Sequence, residues 1–183
     1  MNSELEIIKK CRSGDKKAFR ELVVAYQRLV FSIALKMLTN EDDAKDIVQE
    51  TFIRVWNNLD SYNENKKFST WIITIASRLC LDNLDKQKRL LPMADDEKIF
   101  NSYVSDYNFD KQLENRDWIA IVKMLANDLS PKQKLVFTLS QLECFDNEEI
   151  VEITGLTAEK IKSNLYVAKQ TIRERLIKLG YGK

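Results

Sequence analysis

The chain of 183 residues contains no histidine, the side chain used most often as a general base and as a metal ligand. Its three cysteines, Cys11, Cys80 and Cys144, are far apart and form no C-x-x-C pair, so we expect no zinc or other metal site. Unpaired thiols suit a reducing compartment. The sequence shows no glycine-rich phosphate loop and no nucleophile with a histidine base. We therefore expect no enzyme, no cofactor and no small-molecule substrate.

Glycine and proline are also scarce, with four and two residues, which leaves little material for tight turns. Long segments with apolar residues at helical spacing dominate instead and predict an all-α protein. No apolar run approaches the roughly 20 residues of a membrane span, and the first residues lack the apolar stretch of a signal peptide. We expect a cytoplasmic protein.

The net charge is only +1, but the charges are unevenly distributed. Residues 1–92 carry a net +3, residues 93–128 a net −4 and residues 129–183 a net +2. Two basic blocks around an acidic middle predict two modules with partners of opposite charge. Residues 91–112 show no clean periodicity and mix acids with Asn, Ser and Tyr, which predicts a flexible linker.

The N-terminal module, residues 1–90, is predicted to be a bundle of four helices. Thr39 or Asn40 is expected to cap the third of them, because acidic residues follow in its first turn. The predicted helices run from Ser3 to about Cys11, from about Lys17 to Leu38, from the Thr39 or Asn40 cap to near Leu59, and from Ser69 or Thr70 to about Arg89.

The third helix carries two distinct stripes in the segment DDAKDIVQETFIRVW, residues 42–56. One stripe is apolar, includes Ala44, Ile47 and Val55, and is expected to face the hydrophobic core. The other places two acids, an amide and an aliphatic side chain along one strip of helix surface. An ordinary solvated face would also explain this second stripe, but such a face usually includes lysines. We call these residues the docking strip: Asp46, Gln49, Glu50 and Ile53.

The segment from Lys66 to Arg89 places aromatic rings beside cations at one end and further cations at the other. Unstacked bases need a ring to stack on and a positive charge to hold the backbone. The same aromatic residues could instead form the hydrophobic core, and for Trp71 both interpretations stand. The candidates on these grounds are Tyr62, Lys66, Lys67, Phe68, Trp71, Lys86, Lys88 and Arg89.

The C-terminal part of the chain has the sequence form of a helix-turn-helix. Ser130 is predicted to cap a first helix, and Asp146 with Glu149 a second helix through a capping box. Gly155 is expected at the turn that follows, and Thr157 is expected to cap the last helix. We assign residues 113–183 to this module.

The outward face of the last helix combines cations with amide and hydroxyl side chains. Lys and Arg neutralise phosphates, while Asn and Gln match an adenine edge in the major groove. A helical hairpin with an ordinary polar face is the alternative. Lys132 and Lys134, on the first helix of the module, are further candidate phosphate contacts. The candidates on the last helix are Lys160, Lys162, Ser163, Asn164, Tyr166, Lys169 and Arg173.

Three segments together resemble the bacterial RNA polymerase sigma factors: DAKDIVQETFIRVW, FSTWIITIA, and LSPKQKLVF followed by EEIVEITGLTAEKIKSNLYVAK. The two-module form resembles the extracytoplasmic-function (ECF) group. The resemblance implies that residues 1–90 are sigma region 2, which binds the polymerase and melts the −10 element, and that residues 113–183 are region 4, which recognises the −35 element. The linker would pass near the RNA path.

The resemblance also implies roles for single residues. The docking strip would bind the coiled coil of the largest subunit of the polymerase core enzyme. Asn63 and Arg78 join the candidates for −10 DNA. Family members usually have an inhibitory anti-sigma factor, often anchored in the membrane, and we expect one here. The chain departs from common family residues at Ser77, Arg78, Asp85, Asn164 and Val167, which leaves the promoter sequence open.

Two other functions fit parts of the sequence. A stand-alone helix-turn-helix regulator would bind a duplex palindrome as a dimer. A helical adaptor would bind proteins only and would support no promoter-specific transcription.

Overall fold

The computed structural model describes residues 4–90 and 128–178, and all regular structure within these ranges is helical, as predicted. The predicted linker and the start of the next helix near Leu113 lie outside the described residues. None of the described helices combines the length and the apolarity that a bilayer span requires. The N-terminal helices are α1 (Glu4–Arg12), α2 (Lys16–Leu38), α3 (Glu41–Asn57), a 3-10 turn (Leu59–Ser61) and α4 (Phe68–Leu90). The C-terminal helices are α5 (Pro131–Phe137), a π-helical turn (Thr138–Leu142), α6 (Asn147–Thr154) and α7 (Ala158–Lys178).

Side-chain caps fix the starts of α2 and α3. The Asp15 carboxylate accepts hydrogen bonds from the backbone amides of Lys17 and Ala18, which satisfies donors that a helix start leaves unpaired. Asn40 caps α3 in the same way. Thr39 lies between the two helices in the left-handed region, at φ 57°, and ends α2. The predicted boundary between the second and third helices is therefore confirmed.

The apolar stripes of α2, α3 and α4 meet in one hydrophobic core, which α1 joins through Ile8 and Cys11. The stripe predicted on α3 is buried, with Ala44 and Val55 fully inside. Phe19 of α2 packs edge-on against Trp56 of α3, with 4.8 Å between ring centroids. Burial of these faces turns the docking strip of α3 outward.

The C-terminal helices form the predicted helix-turn-helix. Both capping boxes are present, at Ser130 with Gln133 and at Asp146 with Glu149. Gly155 ends α6 at φ 67°, a backbone conformation that side chains with a Cβ rarely adopt. The apolar face of α7 points inward, as expected from its spacing of three and four residues.

The two modules pack directly on each other. Side chains from α5, the π-helical turn, α6 and α7 belong to the same hydrophobic core as α2 and α4; they are Leu135, Val136, Leu139, Ile150, Ile153 and Ile161. Glu143 strengthens this junction, since its carboxylate accepts hydrogen bonds from Ser32 Oγ at 2.7 Å and from Lys36 Nζ at 2.5 Å. The sequence analysis did not predict this packing, because it treated the two modules as joined only by a flexible linker.

Candidate protein-docking and nucleic-acid surfaces

The docking strip is accessible along its whole length. Asp46 and Gln49 are exposed, and Ile53 is an apolar side chain with 55% of its surface open. Glu50 pairs with Arg54 one turn later, at 2.8 Å. An exposed pair of this kind contributes little to stability and leaves the carboxylate available to a stronger basic partner. The strip therefore offers negative charge and one apolar contact to a partner surface.

The loop between α3 and α4 is supported by a cluster of aromatic rings. Tyr62 and Phe68 are buried, at 4% and 1% exposure, and their ring centroids are 5.1 Å apart. The Tyr62 hydroxyl donates to the Lys66 carbonyl at 2.5 Å and closes the loop. Burial raises the pKa of Tyr62, which keeps this hydroxyl protonated as a donor. Both rings thus form the base of the predicted −10 surface and cannot stack on a base in this conformation.

Trp71 lies at the edge of the same cluster and is only partly buried. Its ring centroid is 5.3 Å from that of Tyr62 and 5.6 Å from that of Phe68. Asn63 is exposed, and its side-chain oxygen accepts a hydrogen bond from the Asn65 backbone amide at 3.0 Å. Of the three predicted aromatic contacts, Trp71 therefore keeps a face that a base could reach.

The two lysines that begin the predicted −10 surface contact the C-terminal module. Lys66 pairs with Glu152 and Lys67 with Glu149, each at 2.8 Å. The hydrogen bond to Glu149 raises the pKa of Lys67, so its ammonium group is charged at neutral pH. Both acids lie on α6, one turn apart.

The remaining −10 candidates form a basic stretch along the second half of α4. Arg78, Lys86, Lys88 and Arg89 are all exposed. Their long, positively charged side chains suit phosphate contacts. Within the described parts of the chain, no cluster of three or more acidic or cysteine side chains could hold a metal ion.

The predicted −35 face of α7 is open as a whole. Tyr166 and Val167 are exposed at 66% and 41%. The Asn164 amide donates to the Lys160 carbonyl at 2.7 Å, which directs it along the helix in this structure. The exposed candidates are Lys132 on α5 and Lys160, Lys162, Ser163, Tyr166, Lys169 and Arg173 on α7.

The expectation for Lys134 was wrong. This side chain is 4% exposed at the junction between α5 and α4, and burial lowers its pKa to about 8. Its position follows from the packing of the two modules, because the outward face of α5 becomes an inner face when α4 covers it. The sequence analysis also missed Arg12 and Glu143, whose partners are 47 to 111 residues away and give no local signal.

Two family models match the chain in the order of its modules. The model described as "Sigma-70 region 2" matches residues 22–90, and that described as "Sigma-70, region 4" matches residues 119–172. The chain is 26% identical to the ECF RNA polymerase sigma factor SigW of Bacillus subtilis (strain 168), over 92% of this chain and 94% of that protein. It is 27% identical to the ECF RNA polymerase sigma-E factor of Escherichia coli (strain K12), over 93% of this chain and 92% of that protein.

Solved structures share the fold over most of the chain. CnrH, in complex with the cytosolic domain of CnrY, superposes with a TM-score of 0.70 at 18% identity, covering 97% of this chain and 99% of that chain. The sigma factor RpoE of Bartonella quintana, in complex with the anti-sigma factor NepR, gives a TM-score of 0.65 at 21% identity, covering 87% and 97%. Both likenesses include the two modules together.

Proposed function

Because the chain belongs to the sigma-70 family, with the regions of the ECF group, we propose that it is a sigma factor that binds RNA polymerase core enzyme and directs promoter-specific transcription initiation. The observation that carries the proposal is the match of region 2 and region 4, in that order, to the two modules of the structure. The sigma factor supplies promoter specificity, and the polymerase supplies the chemistry. It acts in the cytoplasm, where the polymerase is.

The docking strip of α3 is the proposed contact with the coiled coil of the largest polymerase subunit. The exposure of Asp46, Gln49, Glu50 and Ile53 supports this role, since the strip presents acids around one apolar side chain. Opposite charge would speed the encounter, and the apolar contact would slow dissociation.

Region 2 is proposed to capture the −10 element. Trp71 would stack on an unpaired base, Asn63 would contact a base edge, and the lysines and arginines of α4 would hold the backbone. Tyr62 and Phe68, which are buried, would support this surface from below. Unstacking costs a few kcal/mol per base step, and base capture would offset that cost.

Region 4 is proposed to contact the −35 element through the exposed face of α7, with Lys132 on a phosphate. The two modules carry only a small net positive charge, +3 in residues 1–92 and +2 in residues 129–183, so the affinity of each module alone for DNA would be weak and sensitive to salt. The polymerase would hold both at a fixed span, and effective concentration would then raise the combined affinity.

An anti-sigma factor is the proposed inhibitor of this chain. Two structures with the same fold were solved with a bound protein, and NepR is named as an anti-sigma factor. A membrane-anchored inhibitor would bind the chain until a signal releases it.

A pull-down with polymerase core enzyme tests the proposal. We expect retention of the wild type and at least tenfold weaker retention of Asp46→Lys and Glu50→Lys, because reversal replaces attraction with like-charge repulsion. Glu41→Lys, on another face of α3, is the matched control and should be retained. Run-off transcription with the retained variants completes the test. A chain that ignores the core enzyme yet shifts a duplex alone would be a stand-alone regulator, and retention without transcription would indicate an adaptor.

A further inference from the structure

Arg12, the last residue of α1, binds the loop that carries the proposed −10 surface. Its Nη2 donates to the Tyr62 carbonyl at 2.7 Å, its Nε to the Leu59 carbonyl at 3.3 Å, and its Nη1 to Glu64 Oε1 at 2.5 Å. One guanidinium thus joins three points of the loop between α3 and α4. Arg12 precedes the residues matched by the region 2 model, which begin at position 22.

The shape of the guanidinium matters more than its charge. Its donors lie in one rigid plane, and here they satisfy two backbone carbonyls and a carboxylate at once, which a lysine ammonium cannot do with the same geometry. Lys9 also approaches Glu64, but its Nζ is 4.0 Å from the carboxylate and its side chain is 65% exposed. Arg12, with a side chain 25% exposed, is therefore the main link from α1 to the loop.

The attachment of α1 does not depend on Arg12. Ile8 and Cys11 anchor the helix in the hydrophobic core, with 0% and 3% exposure. Loss of the Arg12 side chain should thus release the loop while α1 stays in place.

We infer that Arg12 is a positioning residue for promoter opening. It holds the loop so that Asn63 meets the unpaired −10 strand in a prepared geometry beside Trp71, which lies on α4 and packs against Tyr62 of the loop. A loop that is already ordered spares the cost of ordering it on binding. The inference rests on the proposed function, since it assigns the loop to −10 capture.

Holoenzymes with Arg12→Ala, Arg12→Lys and the control Lys9→Ala test this role. Promoter DNA is first selected from a random library by transcription with the wild-type holoenzyme. The base analogue 2-aminopurine is then placed in its −10 element, and its fluorescence measures promoter opening. We expect Arg12→Ala and Arg12→Lys to lower promoter opening roughly tenfold, and Lys9→Ala to leave it unchanged. Binding to core enzyme and the thermal unfolding midpoint should stay within error of the wild type.

The outcomes distinguish a failure of the proposed function from a failure of the positioning role of Arg12. A wild-type holoenzyme that opens no promoter contradicts the proposed function. Normal opening by Arg12→Ala, or full rescue by Arg12→Lys, overturns the positioning role. A parallel loss of core binding and thermal stability would show that Arg12 is merely structural.

A second observation stands apart from Arg12: the ion pairs of Lys66 and Lys67 with α6. Glu152 and Glu149 place carboxylate oxygens 2.8 Å from the two ammonium groups, where the phosphate oxygens of a nucleic acid would bind. A phosphate that approaches either ammonium group must compete with this carboxylate and also meets the negative charge of α6. The geometry points to self-masking, in which α6 of the helix-turn-helix module occupies the basic start of α4 and weakens nucleic-acid binding by the free chain.

Matched charge reversals on α6 test the masking without polymerase. Glu152→Lys removes the partner of Lys66, whereas Glu148→Lys makes the same charge change at an exposed position outside the two ion pairs. Glu149 is left intact because it also closes the capping box of α6. The probe is a fluorescein-labelled single-stranded 12-mer of mixed sequence, and the readout is anisotropy at low salt.

We expect Glu152→Lys to tighten binding at least fivefold more than Glu148→Lys. Addition of Lys66→Glu to Glu152→Lys should remove the gain, because it deletes the unmasked ammonium group and restores an ion pair with reversed charges. Equal effects of the two single reversals would mean that net charge alone acts, and would overturn the masking. The proposed function is untouched by this result, since no promoter and no polymerase take part.

Discussion

The buried lysine of α5 leads to a pH dependence that can be calculated from the structure. Lys134 is 4% exposed, and burial lowers its pKa to about 8. It interacts electrostatically with Cys80 of α4, whose pKa burial raises to about 12. Folding therefore removes a proton from Lys134 at pH values where the unfolded chain keeps it. We expect the contribution of Lys134 to the free energy of unfolding to rise with pH from about pH 8.

The size of the rise follows from the two pKa values of Lys134. In the unfolded chain its pKa is about 10.4, so between about pH 8 and 10 the unfolded state binds more protons and stability increases with pH. Integration from pH 8 to pH 9 gives about 1 kcal/mol. Above about pH 8.5 the unfolded thiols of Cys80 and Cys11 ionise while their buried forms stay protonated, which has the opposite sign. From pH 8 to pH 9 the Cys80 thiol alone offsets about 0.7 kcal/mol of the Lys134 contribution, so the total wild-type stability should change little over this interval.

Urea unfolding at pH 7, 8, 9 and 10, followed by far-UV circular dichroism under reducing conditions, measures this profile. Between pH 8 and pH 9, Lys134→Met should lose about 1 kcal/mol more stability than the wild type does, because only the opposing thiol contributions remain. It should also stabilise the protein at pH 7 by about 2 kcal/mol, because an apolar side chain needs no desolvation of a charge. Lys132→Met, at an exposed position of the same helix, is the control and should keep the wild-type profile. A profile of Lys134→Met that runs parallel to that of the wild type would refute the argument.

Three further predictions concern the proposed DNA modules. Asp146→Ala removes the cap of α6 and should cost about 1 kcal/mol in thermal unfolding, with Asn147→Ala beside it as a near-neutral control. Gly155→Ala has open space for the new Cβ, so its cost of about 1–2 kcal/mol should come from the left-handed backbone alone, and Gly155→Asn should lose less; equal losses would contradict this. Trp71→Ala should lower promoter opening by the holoenzyme roughly tenfold, in line with about 1–3 kcal/mol per stacked base, while Trp71→Phe keeps most of it; unchanged opening by Trp71→Ala would remove this residue from the proposed −10 surface.

Local features of the fold were predictable because their causes are local. The caps at Asn40, Ser130 and Asp146 depend on residues within one helical turn, and the structure confirms all three. The apolar stripe of α3 depends on a repeat of 3.6 residues and is buried as expected. Once that stripe is buried, the opposite strip must face outward, so the exposure of Asp46 was also predictable.

Contacts between segments that are distant in the chain could not be predicted from the sequence. Lys66 and Glu152 are each ordinary helix-surface residues, and nothing near them indicates that they meet at 2.8 Å. The burial of Lys134 could not be predicted for the same reason, because it depends on α4 covering α5. An aromatic residue beside a lysine fits a DNA contact and a core position equally well, and Phe68 took the core position.

Exposure separates the ion pairs that hold the modules together from those that mask charge. The side chains of Lys66 and Lys67 are 52% and 67% exposed, so water and salt screen their pairs, which then add little to the packing of the modules. Lys36 and Glu143 are 20% and 11% exposed and are screened much less. The junction should therefore depend on its apolar contacts and on Glu143.

Glu143→Ala should open the junction, because it leaves the sheltered ammonium group of Lys36 without its carboxylate. We expect a loss of about 2 kcal/mol in the packing of the modules, which is roughly a thirtyfold shift toward separated modules. Small-angle X-ray scattering should show a larger radius of gyration for this variant and an unchanged one for Glu152→Lys. A larger radius of gyration for Glu152→Lys and an unchanged one for Glu143→Ala would mean that the exposed ion pairs hold the modules together. The assignment of Glu143 to module packing and of the Lys66 and Lys67 pairs to charge masking would then be wrong.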